Sequence, residues 1–192
     1  MAKIGLTNIW WGKLTEAEDG AATYDGAKSF GKAVSCKVSV TNNDATLYAE
    51  DALAESDKSF NSASVTLGVA DDDDTIFAPI LGHKVSSDGK GATDGEMVRN
   101  ANDVAPYIGL GRVITKMVDG AMKYKGEFLY KVKFSEPSQD DQTKSEKVDF
   151  KTPEIEGTAS QLANGDWSAT KTFDTKDAAV TWVKGKLQAA AA

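Results

Sequence analysis

Three stretches of period-two alternation constrain this chain more than any other feature. A pattern that puts every second side chain on one face fits a strand and not a helix. In residues 33–40, Val34, Cys36, Val38 and Val40 share one face, and Ser35, Lys37 and Ser39 share the other. Residues 60–69 repeat the pattern with Ala63, Val65, Leu67 and Val69 against Ser62, Ser64 and Thr66. In 122–134, Met122, Tyr124, Phe128, Tyr130, Val132 and Phe134 are expected on one face, opposite Lys123, Lys125, Glu127, Lys131 and Lys133. Such a face reads as packed core before it reads as a base-stacking platform. Residues 106–115 supply a partner strand through an Asp119-Gly120 turn, and 143–160 carry a further extended pattern with Val148, Phe150 and Ile155. Asn164-Gly165 then turns the chain into a last strand through Trp167, Ala169 and Phe173.

Two segments depart from this period. Asp71 to Asp74 precede Ile76, Phe77, Ile80 and Leu81, which have helical spacing, and Gly82 follows. Carboxylates suit a helix's first turn and glycine the position past its end, so a short helix is predicted, with Pro79 keeping it short. From Asp174, read as an N-cap, Ala178, Ala179, Trp182, Val183 and Leu187 space out an amphipathic helix. The fold class is therefore mainly β: a β-sandwich or barrel with a short internal α-helix and a C-terminal α-helix. At 192 residues a single domain, 1–192, is expected. Residues 1–12 read as an N-terminal arm or first strand, whose neighbouring Trp10 and Trp11 cannot both enter one core. Residues 41–59 form a polar connection several times longer than a hairpin loop, 86–104 a glycine-rich polar loop, and 188–192 a frayed tail.

Reactive groups are scarce. Cys36 and His83 are the only residues of their kinds, which excludes an intrachain disulfide and a Cys/His zinc site. Residues 26–32 (GAKSFGK) approach a phosphate-binding loop, yet Ala33 stands where a hydroxyl should hold magnesium, and a strand follows in place of a helix. Gly109 and Gly111 lack the third glycine of a dinucleotide fingerprint and mark a bulge or close backbone approach in a strand. His83 is expected to bond the last helical carbonyls, and residues 71–74 to cap a helix, since their spacing is not that of a calcium loop. The S-x-x-K match at Ser87 to Lys90 sits in a polar loop and carries no weight. No catalytic residue, metal or cofactor is expected. With 29 acidic residues against 22 basic, the net charge of −7 disfavours tight binding to nucleic-acid phosphates. No apolar run spans a bilayer and no signal-peptide pattern opens the sequence, so a soluble protein made in the cytoplasm is expected.

An ordered set of short segments adds a second kind of information. It runs through Tyr24, the strand 33–40, residues 47–51 (LYAED) with Glu55, 81–84 (LGHK), 105–109 (APYIG), 128–137 (FLYKVKFSEP), Thr143, 150–157 (FKTPEIEG) and 164–167 (NGDW). Together these resemble the major tail protein (tail tube protein) family of long-tailed, non-contractile bacteriophages, over nearly the whole chain.

The resemblance implies a structural virion protein: a tail tube subunit that forms hexameric rings, stacked around a lumen through which the genome passes. It implies ring-to-ring contact through Tyr48, Glu50, Asp51 and Glu55 in the 41–59 loop, and subunit contact through Ile4, Leu6, Trp10 and Trp11. Tape-measure, tail-tip or baseplate, and tail-terminator proteins are the implied partners. The implied location is the virion tail, assembled in the host cytoplasm, with DNA passing unbound. Ser35, Ser39, Ser62, Ser64 and Thr66 are candidates to line the lumen, being small and polar. Six subunits at −7 would carry −42 per ring, a wall that repels DNA. A different class of function also fits the pattern: a monomeric β-sandwich binding module using 41–59 and 86–104 as its ligand surface.

Overall fold

The alternating segments pair with one another. The computed structural model describes residues 2–49, 52–70, 73–85, 96–138 and 152–188. Its strands are β1 (Ala2–Glu16), β2 (Ala22–Tyr24), β3 (Lys28–Ser29), β4 (Ala33–Asn42), β5 (Ala45–Ala49), β6 (Ala52–Asp57), β7 (Phe60–Val69), β8 (Lys84–Val85), β9 (Met97–Val98), β10 (Ile108–Val118), β11 (Ala121–Phe134), β12 (Glu154–Ser160) and β13 (Ser168–Phe173). Its helices are α1 (Asp74–Leu81) and α2 (Lys176–Lys186). The fold is mainly β, built on one large antiparallel sheet in the order β2–β1–β10–β11–β12–β7–β4, with β3 added to β1 and β13 to β11. The sheet curls so that β1 and β4 come close to each other, with no ladder between them among the described residues. Expectations for Asp71, Asp72, Ser87 to Lys90, Thr143, Val148, Phe150 and residues 189–192 fall outside the described residues.

The main core lies inside this curl. Ile9 and Trp11 from β1 meet Val65 and Leu67 from β7, Ile108 and Leu110 from β10, and Ile155 and Ala159 from β12. Helix α1 adds Phe77, Ile80 and Leu81 at the end where β7 and β11 finish and β10 begins. Its start follows the capping logic: the Asp73 carboxylate accepts the Thr75 N–H at 2.9 Å, and Asp74 occupies the first turn. Its end needs Gly82, which has φ +83° and where a Cβ would lie 2.3 Å from the Val104 carbonyl oxygen.

Helix α2 packs on the outer face of β1, β10 and β11. Ala179 and Val183 cover Val113, and Leu187 joins Tyr24 and Phe128. Val183 and Leu187 are fully buried, each contributing about 1.5–3 kcal/mol by leaving water. The strand glycines make room for these contacts: a Cβ on Gly111 would stand 2.3 Å from Val183, and one on Gly109 2.4 Å from the Tyr24 ring. Close approach is therefore what these two glycines provide. The N-cap of α2 is Thr175 and not Asp174. Thr175 accepts the Ala178 N–H at 3.3 Å, while Asp174 turns to Lys123.

Two of the register shifts change which side chains reach the core. The pairing of β10 with β11 shifts between Ile108 and Leu110, opposite Val132 and Leu129. Across that bulge the apolar residues of β11 change sides: Tyr124, Phe128 and Tyr130 pack towards α2, while Leu129, Val132 and Phe134 enter the main core. The expected single face is thus split between two cores. In β4 a shift between Ala33 and Ser35 leaves Val34 without a β7 partner and 54% exposed, so Val34 does not join Cys36 and Val38. The segment 26–32 leads through β3 into β4, so no helix follows the glycine loop, as a phosphate site would need.

Candidate assembly surface

The side of β12, β7 and β4 facing away from the core is a row-by-row grid of small hydroxyl residues. Thr158, Ser64 and Ser39 align across the three strands, as do Glu156, Thr66 and Lys37, and then Glu154, Gly68 and Ser35. Thr41 pairs with Ser62 one step further along. On β11, Lys133 pairs with Thr158 and extends the same row. Ser35, Ser39, Ser64 and Thr158 are exposed, and Ser62 and Thr66 are half-buried. All five small polar residues singled out from the sequence thus share one sheet face. Because Cys36, Leu67 and Ile155 point the opposite way into the core, the pleat leaves this face no alternative orientation. Its charges are Lys37, Lys131 and Lys133 against Glu154 and Glu156, with Lys131 bonded to Glu16, so the face is balanced rather than acidic.

The connection 41–59 continues the β4–β7 ribbon. It forms a hairpin, β5 with β6, in which Leu47 pairs with Glu55 and Tyr48 with Leu53. Tyr48 and Glu55 therefore sit on its two strands, while Glu50 and Asp51 lie outside the described residues. The hairpin's foot is fixed by the Asn43 N–H bonding the Ser59 carbonyl at 2.8 Å, and by the Asn43 amide on the Ser59 hydroxyl at 3.1 Å. Next to it the Phe60 and Trp167 rings stack with centroids 4.4 Å apart and planes 9° from parallel.

The N-terminal residues divide by face. Residues 2–13 pair with β10 as part of β1 and do not extend as a free arm. Trp11 is 3% exposed in the main core, and Trp10 lies half-buried against α2 with the Lys184 ammonium 4.1 Å from its ring centre. Trp11 thus spends its surface within its own chain, while Trp10 keeps part of its surface exposed. Ile4 is 53% exposed and Leu6 half-buried, so together with Trp10 they keep surface for the expected subunit contact.

Between the first half of β1 and β4 the sheet leaves a seam over a cavity of about 440 Å³, lined by Leu6, Cys36, Val38 and Ile114 among others. Arg112 closes its floor. The guanidinium donates to the Cys36 carbonyl at 2.7 Å and to the Glu127 carboxylate at 2.7 and 2.5 Å. Burial pushes the Cys36 thiol above its usual pKa, with the Arg112 charge opposing, so this cysteine is a poor nucleophile. Sequence reasoning passed over Arg112. Its signal is a lone charge sharing the period-two face of Leu110 and Ile114.

His83 departs from expectation in a specific way. Its backbone N–H, and not its ring, bonds the helix carbonyl of Ala78, at 2.8 Å, while the ring sits between the carboxylates of Asp103 and Glu136. Among the described residues no group of three or more His, Cys, Asp or Glu could hold a metal ion, and no helix is long and apolar enough to cross a membrane. Comparison with known proteins finds no matching family model and no matching curated protein.

Proposed function

We propose that this chain is a virion tail tube subunit that assembles into stacked hexameric rings and carries no catalytic activity. One observation carries the reading: the hydroxyl-rich face of β4, β7 and β12, with the β5–β6 hairpin continuing directly from two of its strands. A channel wall for DNA must hold the polymer weakly, and exposed Ser and Thr with balanced charge release few counterions and offer no base-stacking surface. The hairpin is the extension that reaches the next ring. In 41–59 five acidic residues stand against a single lysine, a composition that suits a solvated extension. Ile4 and Leu6, beside the seam, meet the neighbouring subunit in the ring, where a partner strand covers the open edges of β1 and β4.

Trimming residues 44–56 to a short turn tests this directly. The expected variant has unchanged circular dichroism and thermal midpoint and forms no tubes. Normal tubes from that variant contradict the assigned role of the hairpin.

A further inference from the structure

We propose that His83 is a protonation-dependent latch that holds α1 and the β8–β9 hairpin against the end of the barrel. The geometry carries this. The His83 side chain is only 5% exposed, its Nδ1 lies 2.8 Å from the Asp103 carboxylate, and its Nε2 bonds the Glu136 carboxylate. An ionised carboxylate is acceptor-only, so both ring nitrogens must donate, and only the doubly protonated imidazolium can do so. A neutral ring keeps one N–H and turns a lone pair towards the other carboxylate, losing that bond.

The three partners belong to three separate parts of the chain. His83 follows the left-handed Gly82 that ends α1 and opens into β8. Asp103 belongs to the turn between β9 and β10, where its carboxylate also accepts the Asn100 N–H at 2.9 Å. Glu136 stands just past the end of β11. The ring thus ties the helix to the barrel at a point that the apolar contacts of Phe77, Ile80 and Leu81 do not reach. Among the described residues the cations facing the cluster are Arg99, with its Nε 3.9 Å from Glu136, and Lys84 near Asp103, while the last turn of α1 brings none. Two carboxylates on one ring outweigh these, and the Asp103 bond, against the opposing effect of burial, raises the His83 pKa above its ordinary value. The same bond holds the Asp103 carboxyl below its usual pKa.

The sign follows from linkage. A histidine whose folded pKa is raised contributes its full stabilisation below about 6.5 and loses it as pH rises through the folded value. The latch is closed below the ordinary histidine range, while the carboxylates are ionised, and opens as pH rises through the raised folded value.

His83 is the only histidine, so its ring resonances in an NMR titration of the full chain are unambiguous. The expected midpoint lies above about 6.5, and both Glu136→Gln and Asp103→Asn lower it. Hydrogen exchange at residues 76–85, once the intrinsic base-catalysed rise is divided out, should increase across that same midpoint. His83→Gln should abolish the increase. A midpoint at or below the ordinary value, or an increase that survives in His83→Gln, overturns the latch. Should His83→Gln fail to fold, Glu136→Gln serves in its place: half-exposed, it should shift the exchange midpoint down, and an unmoved midpoint is equally fatal.

Discussion

At the scale of single residues, Arg112 is the position where one side chain does most for the shape of the sheet. It is 8% exposed, reaches from β10 to the backbone of β4, and neutralises Glu127 on the way. Replacing it with alanine leaves a largely buried carboxylate and the Cys36 carbonyl without a donor. The expected loss is on the order of 3 kcal/mol in urea unfolding. Arg112→Lys should recover only part of it, because an ammonium cannot make the forked contact to Glu127 and reach Cys36 as well. A loss below about 1 kcal/mol for Arg112→Ala, the range of an exposed pair, contradicts the bridging role. The neighbouring pair of Glu16 and Lys131 works in the opposite pH direction from His83. The Lys131 bond at 2.5 Å holds the Glu16 carboxyl below its usual pKa, so that stabilisation is lost as pH falls.

At the scale of elements, α2 and the strand glycines beneath it form one unit. Gly111→Ala puts a methyl group 2.3 Å from a branched side chain that has no free rotation to offer. The expected cost is about 1–3 kcal/mol in denaturant unfolding, with the tryptophan emission of Trp182 and Trp10 shifting as α2 lifts. An unchanged midpoint and spectrum contradict the close seating. Much of this layer was legible in the sequence: the two helices, the Asp73 and Gly82 ends of α1, the 119–120 and 164–165 turns, and the strands at 33–40, 60–69 and 122–134. The bulges were legible only in part: Gly109 marked a bulge or close approach where the β10–β11 register shifts, but not which residues of β11 change sides. One extra residue in β11 moves Val132 and Phe134 to the other side of the sheet while leaving composition and local alternation intact, and only the partner strand reveals it. Val34 is lost from the core for the same reason. The start of α2 slipped by one residue because Asp174 and Thr175 are both good caps, and the pull of Lys123 on Asp174 is a tertiary effect. The hairpin inside 41–59 was read as a loop because its polar sequence carries no clean apolar alternation.

At the scale of the whole molecule, the curled sheet leaves two surfaces that the proposed assembly would use. One is the seam where β1 and β4 approach without pairing, flanked by Ile4, Leu6 and Val38. The other is the β5–β6 hairpin. The hydroxyl face of β4, β7 and β12 is the surface that the proposal assigns to the lumen. The five small polar residues of that face could be placed together from the sequence because strict alternation fixes a pleat. Their charge balance could not, since Glu154, Glu156 and Lys133 come from strands whose register is set only on folding. On the proposed reading, weak contact with DNA comes from small hydroxyl groups and the balanced charge of this face rather than from uniform repulsion. Negative-stain electron microscopy of the purified protein over a concentration series, with light scattering for mass, tests the central claim most directly. Rings or hollow tubes of uniform diameter are the expected result. A protein that stays monomeric at every concentration contradicts self-assembly and points to a binding module built on the same sheet.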